Sequence, residues 1–134
     1  MLEVDVYYED TDCGGVVYYA NYLKYFERGR TRFLEESGHS LLQWMQEGYL
    51  FTVVHAEIFY RSPARYRDRL EVATRLVRVT RSELSFSYRI TGKTSNALIA
   101  EGTTRLVPVG PNGKIRRLPV EKVEVLNRLA SPAG

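Results

Sequence analysis

Three carboxylates within four residues, Glu9, Asp10 and Asp12, stand just ahead of a Gly14-Gly15 pair and a long amphipathic segment. Acids before a helix have a structural use, because each meets the positive end of the macrodipole for about 0.3–1 kcal/mol. The glycines add a second reading. Glycine costs backbone entropy and is kept where a chain bends sharply or approaches something closely. Here the pair would set a carboxylate beside the first free N–H groups of a helix, a ready site for developing negative charge. A carboxylate facing a carbonyl-polarising helix end is the minimum apparatus for acyl transfer to water.

Other chemistries find less support. His39 and His55 are the only histidines and Cys13 the only cysteine, so neither a zinc cluster nor a Cys–His pair is suggested, and no intramolecular disulfide can form. His55 reads as a packed or surface strand residue, and Cys13 as a small neighbour of Asp12 rather than a nucleophile. Gly-x-Ser-x-Gly is absent. The net charge of +3 suits a phosphorylated ligand, but the arginines are scattered and show no nucleic-acid-binding spacing. No apolar run reaches signal-peptide or membrane-span length, so the expectation is a cytoplasmic protein without a membrane span. Ten tyrosines and five phenylalanines suggest half-buried rings at interfaces or along a ligand channel.

The elements that must position the carboxylates follow from periodicity. Residues 2–8 alternate as a first strand, and the acid and glycine run after them breaks the pattern. From about Ala20 to Ser37, Tyr22, Phe26, Gly29 and Phe33 share one face, broadened by Leu23, Tyr25 and Leu34, with charges opposite. Gly38 sits where a glycine would stop that helix. A short helical piece spans Ser40 to Gln46. Strands follow over Phe51 to Tyr60 (with Val54, Ala56, Ile58 and Tyr60 on one face), Leu70 to Val79, Leu84 to Ile90 and Leu98 to Val107. Residues 110–113 form a turn, Pro119 opens a final helix at its first position, and the tail from Ser131 is expected to fray. At 134 residues the chain has the size of one domain, 1–134. One long helix before hairpin-connected strands predicts an α+β fold in which a curved antiparallel five-stranded sheet wraps the helix.

Residues 7–30 resemble the signature of the 4-hydroxybenzoyl-CoA thioesterase family of hot-dog proteins, in particular its YbgC-like acyl-CoA thioesterase branch. The matching residues are Tyr8-Glu9-Asp10-Thr11-Asp12, Gly14-Gly15-Val16-Val17-Tyr18, Ala20-Asn21-Tyr22-Leu23 and Phe26-Glu27-Arg28. Tyr60-Arg61-Ser62-Pro63-Ala64-Arg65, with Asp68 and Leu70, resembles the family's next strand and turn. The resemblance implies a thioester hydrolase with Asp12 as the catalytic carboxylate, as general base or nucleophile, and the Tyr19 backbone N–H as the carbonyl-polarising donor. Gly15 and Val16 would then lie against the substrate, with Glu9 and Asp10 in supporting roles. Related sequences commonly carry histidine where this chain has Tyr19, which removes any imidazole role there.

The implied substrate is acyl-CoA or an acyl carrier protein thioester, with coenzyme A part of the substrate and no separate cofactor or metal. Arg61, Arg65, Arg81, Lys114, Arg116 and Arg117 fall at expected strand ends and turns where phosphates could be met; Arg61 and Arg81 are the candidates carried forward. One helix cannot cover both faces of five strands, which predicts self-association, and the resemblance implies a homodimer, often paired into a homotetramer. Two alternatives stand beside the hydrolase. Hydration or dehydration of acyl thioesters would want a histidine near the helix, and none lies between Glu9 and Gly38. A non-catalytic module that binds acyl-CoA or acyl carrier protein would not need the Asp12-x-Gly-Gly-Val arrangement.

Overall fold

The computed structural model describes residues 1–130, so the tail expected to fray from Ser131 lies outside the described residues. The chain runs β1 (Leu2–Asp5), a 3-10 turn (Tyr8–Asp10), α1 (Asn21–Glu36), α2 (Leu41–Gln46), β2 (Leu50–Tyr60), β3 (Arg69–Thr80), β4 (Glu83–Gly92), β5 (Leu98–Val109) and α3 (Val120–Asn127). The strands make one five-stranded antiparallel sheet in the order β1-β3-β4-β5-β2. β1 pairs antiparallel with β3, Val4 opposite Leu70. The α+β architecture expected from the sequence, a long helix on an antiparallel sheet, is the one observed. Among the described residues no helix is long and apolar enough to cross a membrane.

By its contacts the chain divides into two compact units. The first comprises residues 1–33, 58–74 and 88–102. Its core is built where the apolar face of α1 meets β3 and β4. Tyr22, Tyr25 and Phe26 are buried, as are Leu70, Val72, Tyr88 and Ile90. Gly29 lets the helix come close: a Cβ there would stand 2.6 Å from Thr74 Oγ1 and 2.9 Å from Val72 Cγ1. Leu23, expected to broaden the apolar face, is instead 40% exposed, because it lies on the flank of α1 turned from the sheet. The first strand is also shorter than its alternation suggested. It stops at Asp5, since the Asp10 carboxylate accepts the Tyr7 N–H at 2.9 Å and Asp10 N donates to the Tyr7 carbonyl at 3.0 Å. A local side-chain acceptor thereby outcompetes a strand ladder.

The second unit comprises residues 34–57, 75–87 and the chain from Thr103 onward. Gly38 takes φ +87, Gly38 N donates to Glu35 O at 3.0 Å, and His39 N donates to Leu34 O at 2.9 Å. That pair of bonds is the Schellman stop anticipated for α1. Ser40 caps α2 by accepting Gln43 N–H at 3.1 Å. Arg116 ties down the chain after it, donating to the Glu47 and Gly48 carbonyls at 3.1 and 3.0 Å and lying 4.2 Å from the Tyr49 ring centre. Residues 110–113 turn as expected, Gly113 N donating to Gly110 O at 2.9 Å. Pro119 stands at the N-cap of α3, one residue earlier than expected.

β2 departs most from its sequence pattern. The alternation of Val54, Ala56, Ile58 and Tyr60 predicts a covered face, yet no residue of the strand is buried, and Val54 and Tyr60 are 50% and 49% exposed. The strand is the last in the sheet order. Alternation records which side chains share a face and carries no information on whether a layer covers that face.

Candidate active site

The acid and glycine loop belongs wholly to the first unit, and its shape is set by its own backbone. Asp12 N donates to Val16 O at 2.9 Å and Gly15 N to Asp12 O at 3.0 Å, with Gly15 at φ +80, a conformation that glycine adopts without steric cost. The Asp12 carboxylate folds back into this turn. Its Oδ1 accepts Gly14 N–H at 2.8 Å and Val16 N–H at 3.4 Å. Two amides therefore fix one oxygen while the side chain stays exposed. The bridge Thr11↔Val17 closes the base of the loop, and the bridge Val16↔Arg65 and the bond from Val17 N to Ala64 O at 2.8 Å anchor it to the segment after β2.

Asp10 joins this loop to the start of α1. Its carbonyl accepts Tyr18 N–H at 2.8 Å and the Asn21 side-chain amide at 2.8 Å. The Tyr18 carbonyl in turn accepts Asn21 N–H at 2.9 Å. A trans peptide points its N–H opposite its C=O, so holding the Tyr18 carbonyl also fixes the direction of the Tyr19 N–H. Among the described residues, no acceptor takes the Tyr19 N–H.

Five tyrosines gather around this helix entry. The Tyr18 and Tyr19 rings lie 4.7 Å apart, Tyr60 meets Tyr19 edge-on at 6.4 Å, and Tyr22 touches both Tyr60 and Tyr25. The hydrogen bond and charge of Tyr19, with a smaller push from Asp12, raise the Tyr18 phenol above its ordinary value. Burial raises Tyr22 and Tyr60. Burial, then the neighbouring Asp10 carboxylate, raises Tyr25 further. The Tyr25 hydroxyl is buried and, among the described residues, lacks a hydrogen bond of ordinary geometry, so Asp10 acts on it through proximity and charge. The raised hydroxyls of Tyr18, Tyr22, Tyr25 and Tyr60 remain protonated at neutral pH.

Asp12, Gly15, Val16 and Tyr19 thus fall in one short stretch of the first unit. Arg61 belongs to the same unit, where it pairs with Glu101 at 3.2 Å. Arg81 belongs to the second unit, and its Nε donates to the Leu118 carbonyl at 2.9 Å. Cys13 is an exposed free thiol, and His55 is exposed on β2. Sequence reasoning placed Tyr60 on a strand face and in the family-like stretch but gave it no role at the site; its hydroxyl donates to the Tyr19 carbonyl at 3.2 Å across a separation that no local periodicity reports. Nor did it anticipate that the Asp10 carbonyl, a group present in every residue type, organises the loop.

The geometry agrees with what the chain resembles elsewhere. A model of the Thioesterase-like superfamily matches residues 6–129. The acyl-CoA thioester hydrolase YbgC of Escherichia coli is 40% identical over 117 residues, 87% of each chain. Among solved structures, the hypothetical protein TT1821 of Thermus thermophilus superposes with a TM-score of 0.89 at 33% identity, over 96% of this chain and 97% of that one. Slr0204, a 1,4-dihydroxy-2-naphthoyl-CoA thioesterase from Synechocystis, superposes with a TM-score of 0.83 at 28% identity, over 98% and 97%. With the family model matched over nearly the whole chain and the five-stranded sheet and long helix in place, the chain belongs to the thioesterase-like superfamily and has the hot-dog fold.

Proposed function

We propose that this protein is an acyl-CoA thioesterase whose reaction depends on Asp12. The observation that carries the reading is the Asp12 carboxylate, with one oxygen held by the Gly14 and Val16 amides in the loop before α1 and the Tyr19 N–H left without an acceptor among the described residues. Asp12 takes a proton from water as the water oxygen bonds to the thioester carbonyl carbon, or its own free oxygen attacks that carbon to give an anhydride that water then opens. In either route the Tyr19 N–H receives the carbonyl oxygen as it gains negative charge, and such a donor is typically worth about 2.7–4 kcal/mol in the transition state. Collapse of the adduct breaks the C–S bond; on the general-base route the leaving sulfur takes up the proton that Asp12 held, and on the anhydride route it leaves as thiolate and is protonated by the proton released when water opens the anhydride.

In this reading Gly15 and Val16 contact the acyl group through backbone, and Arg61 meets the phosphates of coenzyme A or of a carrier-protein arm. The protein works in the cytoplasm, as its single cysteine suggests. It is a homodimer paired into a tetramer, supported by exposed Val53, Val54, Phe59 and Tyr60 along uncovered β2.

Thiol release from a panel of short, long and aromatic acyl-CoAs, run beside Asp12→Asn, tests the proposal. The variant should keep the wild-type fold by circular dichroism and lose at least about a hundredfold in kcat. Wild-type turnover in a folded Asp12→Asn protein removes Asp12 from the mechanism. No release from any acyl-CoA by the wild type removes the activity.

A further inference from the structure

We propose that Tyr60, the last residue of β2, is a positioning residue for the carbonyl-polarising end of α1: its hydroxyl holds the Tyr19 carbonyl and so orients the peptide that carries the Ala20 N–H beside the Tyr19 donor. The proposal rests on the thioesterase reading and goes beyond it by placing a side chain from a distant strand in control of the donor pair.

The helix entry explains why the Tyr19 carbonyl is available. In a regular α-helix it would accept the amide four residues on, from Leu23. That amide donates to Ala20 O instead, at 3.2 Å. The Tyr18 carbonyl is already held by Asn21 N–H. The Tyr19 carbonyl thus has no helical partner, and the Tyr60 hydroxyl supplies one at 3.2 Å.

Two consecutive peptide planes are then fixed through their oxygens, one from within the helix entry and one from β2. Each fixed oxygen sends the N–H of its own peptide the opposite way. Those N–H groups belong to Tyr19 and Ala20, and among the described residues neither has an acceptor. An oxyanion donor stabilises a transition state only if its direction is set before the charge develops. The Tyr18–Tyr19 peptide has that restraint from its own segment. Among the described residues, the Tyr19–Ala20 peptide has it only from Tyr60. The ring of Tyr60 packs separately, against Tyr19 at 6.4 Å and Tyr22 at 5.7 Å, so removing the hydroxyl alone leaves that packing in place.

The test is Tyr60→Phe in the full chain, read in two ways. In 15N-labelled protein the Ala20 amide resonance, which reports on the hydrogen bond to the preceding carbonyl, should move, while resonances distant from α1 hold still. In thiol-release kinetics kcat should fall about fivefold, with KM within about twofold, because a donor misdirected by the lost bond matters mainly in the transition state. An Ala20 resonance that stays in place overturns the proposal whatever the wild type hydrolyses. A moved resonance with unchanged kcat, or with KM alone raised, overturns it also. Failure of the thioesterase reading is seen separately, as an inactive wild type.

Discussion

Phe26 of α1 stacks face to face on Tyr88 of β4, with ring centroids 4.3 Å apart and planes 7° from parallel. Such close seating of a helix on a sheet is available only if the next position on that helix face is nearly empty, and one turn on it is Gly29. Gly29→Ala replaces a poor helix former with the best one, which in isolation would favour the helix by about 1 kcal/mol. The added carbon meets Thr74 Oγ1 and Val72 Cγ1 inside van der Waals contact, and overpacking of this kind costs about 1–3 kcal/mol. The expected outcome is a lower midpoint in urea denaturation. A higher midpoint would show that α1 can lift from β3 at no cost.

Gly14→Ala probes the carboxylate without touching it. A Cβ at position 14 would stand 3.2 Å from Asp12 Oδ1, tight enough that the carboxylate must shift by a few tenths of an ångström. Stability should change by less than about 0.5 kcal/mol, as for other exposed positions. Steady-state thiol release should show kcat down by about three- to tenfold, since small misplacements of a reacting group are costly. Unaltered kcat would mean that the turn absorbs the methyl without moving Asp12.

Tyr25 makes folding sensitive to high pH. Its phenol is raised by burial and by Asp10, so the folded protein keeps a proton that the unfolded chain loses above pH ~10. Where the folded state binds more protons, stability falls as pH rises. Denaturation midpoints measured from pH 8 to 11 should therefore decline less steeply in Tyr25→Phe. At pH 7 that variant should be as stable as the wild type or better, because its deleted hydroxyl is buried without a hydrogen bond of ordinary geometry. Equal slopes for the two proteins would remove Tyr25 as the cause.

Glu3 gives the opposite pH dependence at the acid end. The Lys93 ammonium, by hydrogen bond and then by charge, holds its carboxyl below the ordinary value of 4.5. The contribution to stability is complete above the unfolded pKa and is lost as pH falls through the lowered folded pKa. The pair is exposed, so the effect on stability is small. An NMR titration of the Glu3 side chain is the sharper measurement: Lys93→Met should return its midpoint toward 4.5, and a midpoint that stays low would assign the shift to another cation.

The sequence was most informative where one residue type answers a single local demand. The alternation of Leu84, Phe86, Tyr88 and Ile90 became the buried face of β4 because a strand has only two sides. Gly38 ended α1 because a left-handed cap tolerates few other residues. The reading failed where two weak demands competed, as at Tyr7, where the Asp10 carboxylate captured an amide that alternation had assigned to a strand. It was silent where the decisive group is a carbonyl or where partners lie far apart in the chain. Arg81 reads as a cation for phosphate, and nothing in the sequence shows that its Nε would donate to the Leu118 carbonyl. Composition likewise announced an excess of tyrosine but could not say that Tyr60 would reach Tyr19.

The two bonds accepted by the Asp10 carbonyl, from Tyr18 N and Asn21 Nδ2, also order events in time. They close loops of about ten residues, which brings little entropy loss and takes about 10–100 ns in an unstructured chain. β1, by contrast, must find β3 with residue 4 opposite residue 70, a slow kind of contact because its long loop must close before any pairing rewards it. The segment bearing Asp12 can therefore acquire its local geometry while the sheet is still incomplete. Folding rate should accordingly be limited by the marriage of β1 to β3, and alterations in the acid loop, already shaped when that step occurs, should show themselves in how fast the protein forms rather than in how fast it comes apart.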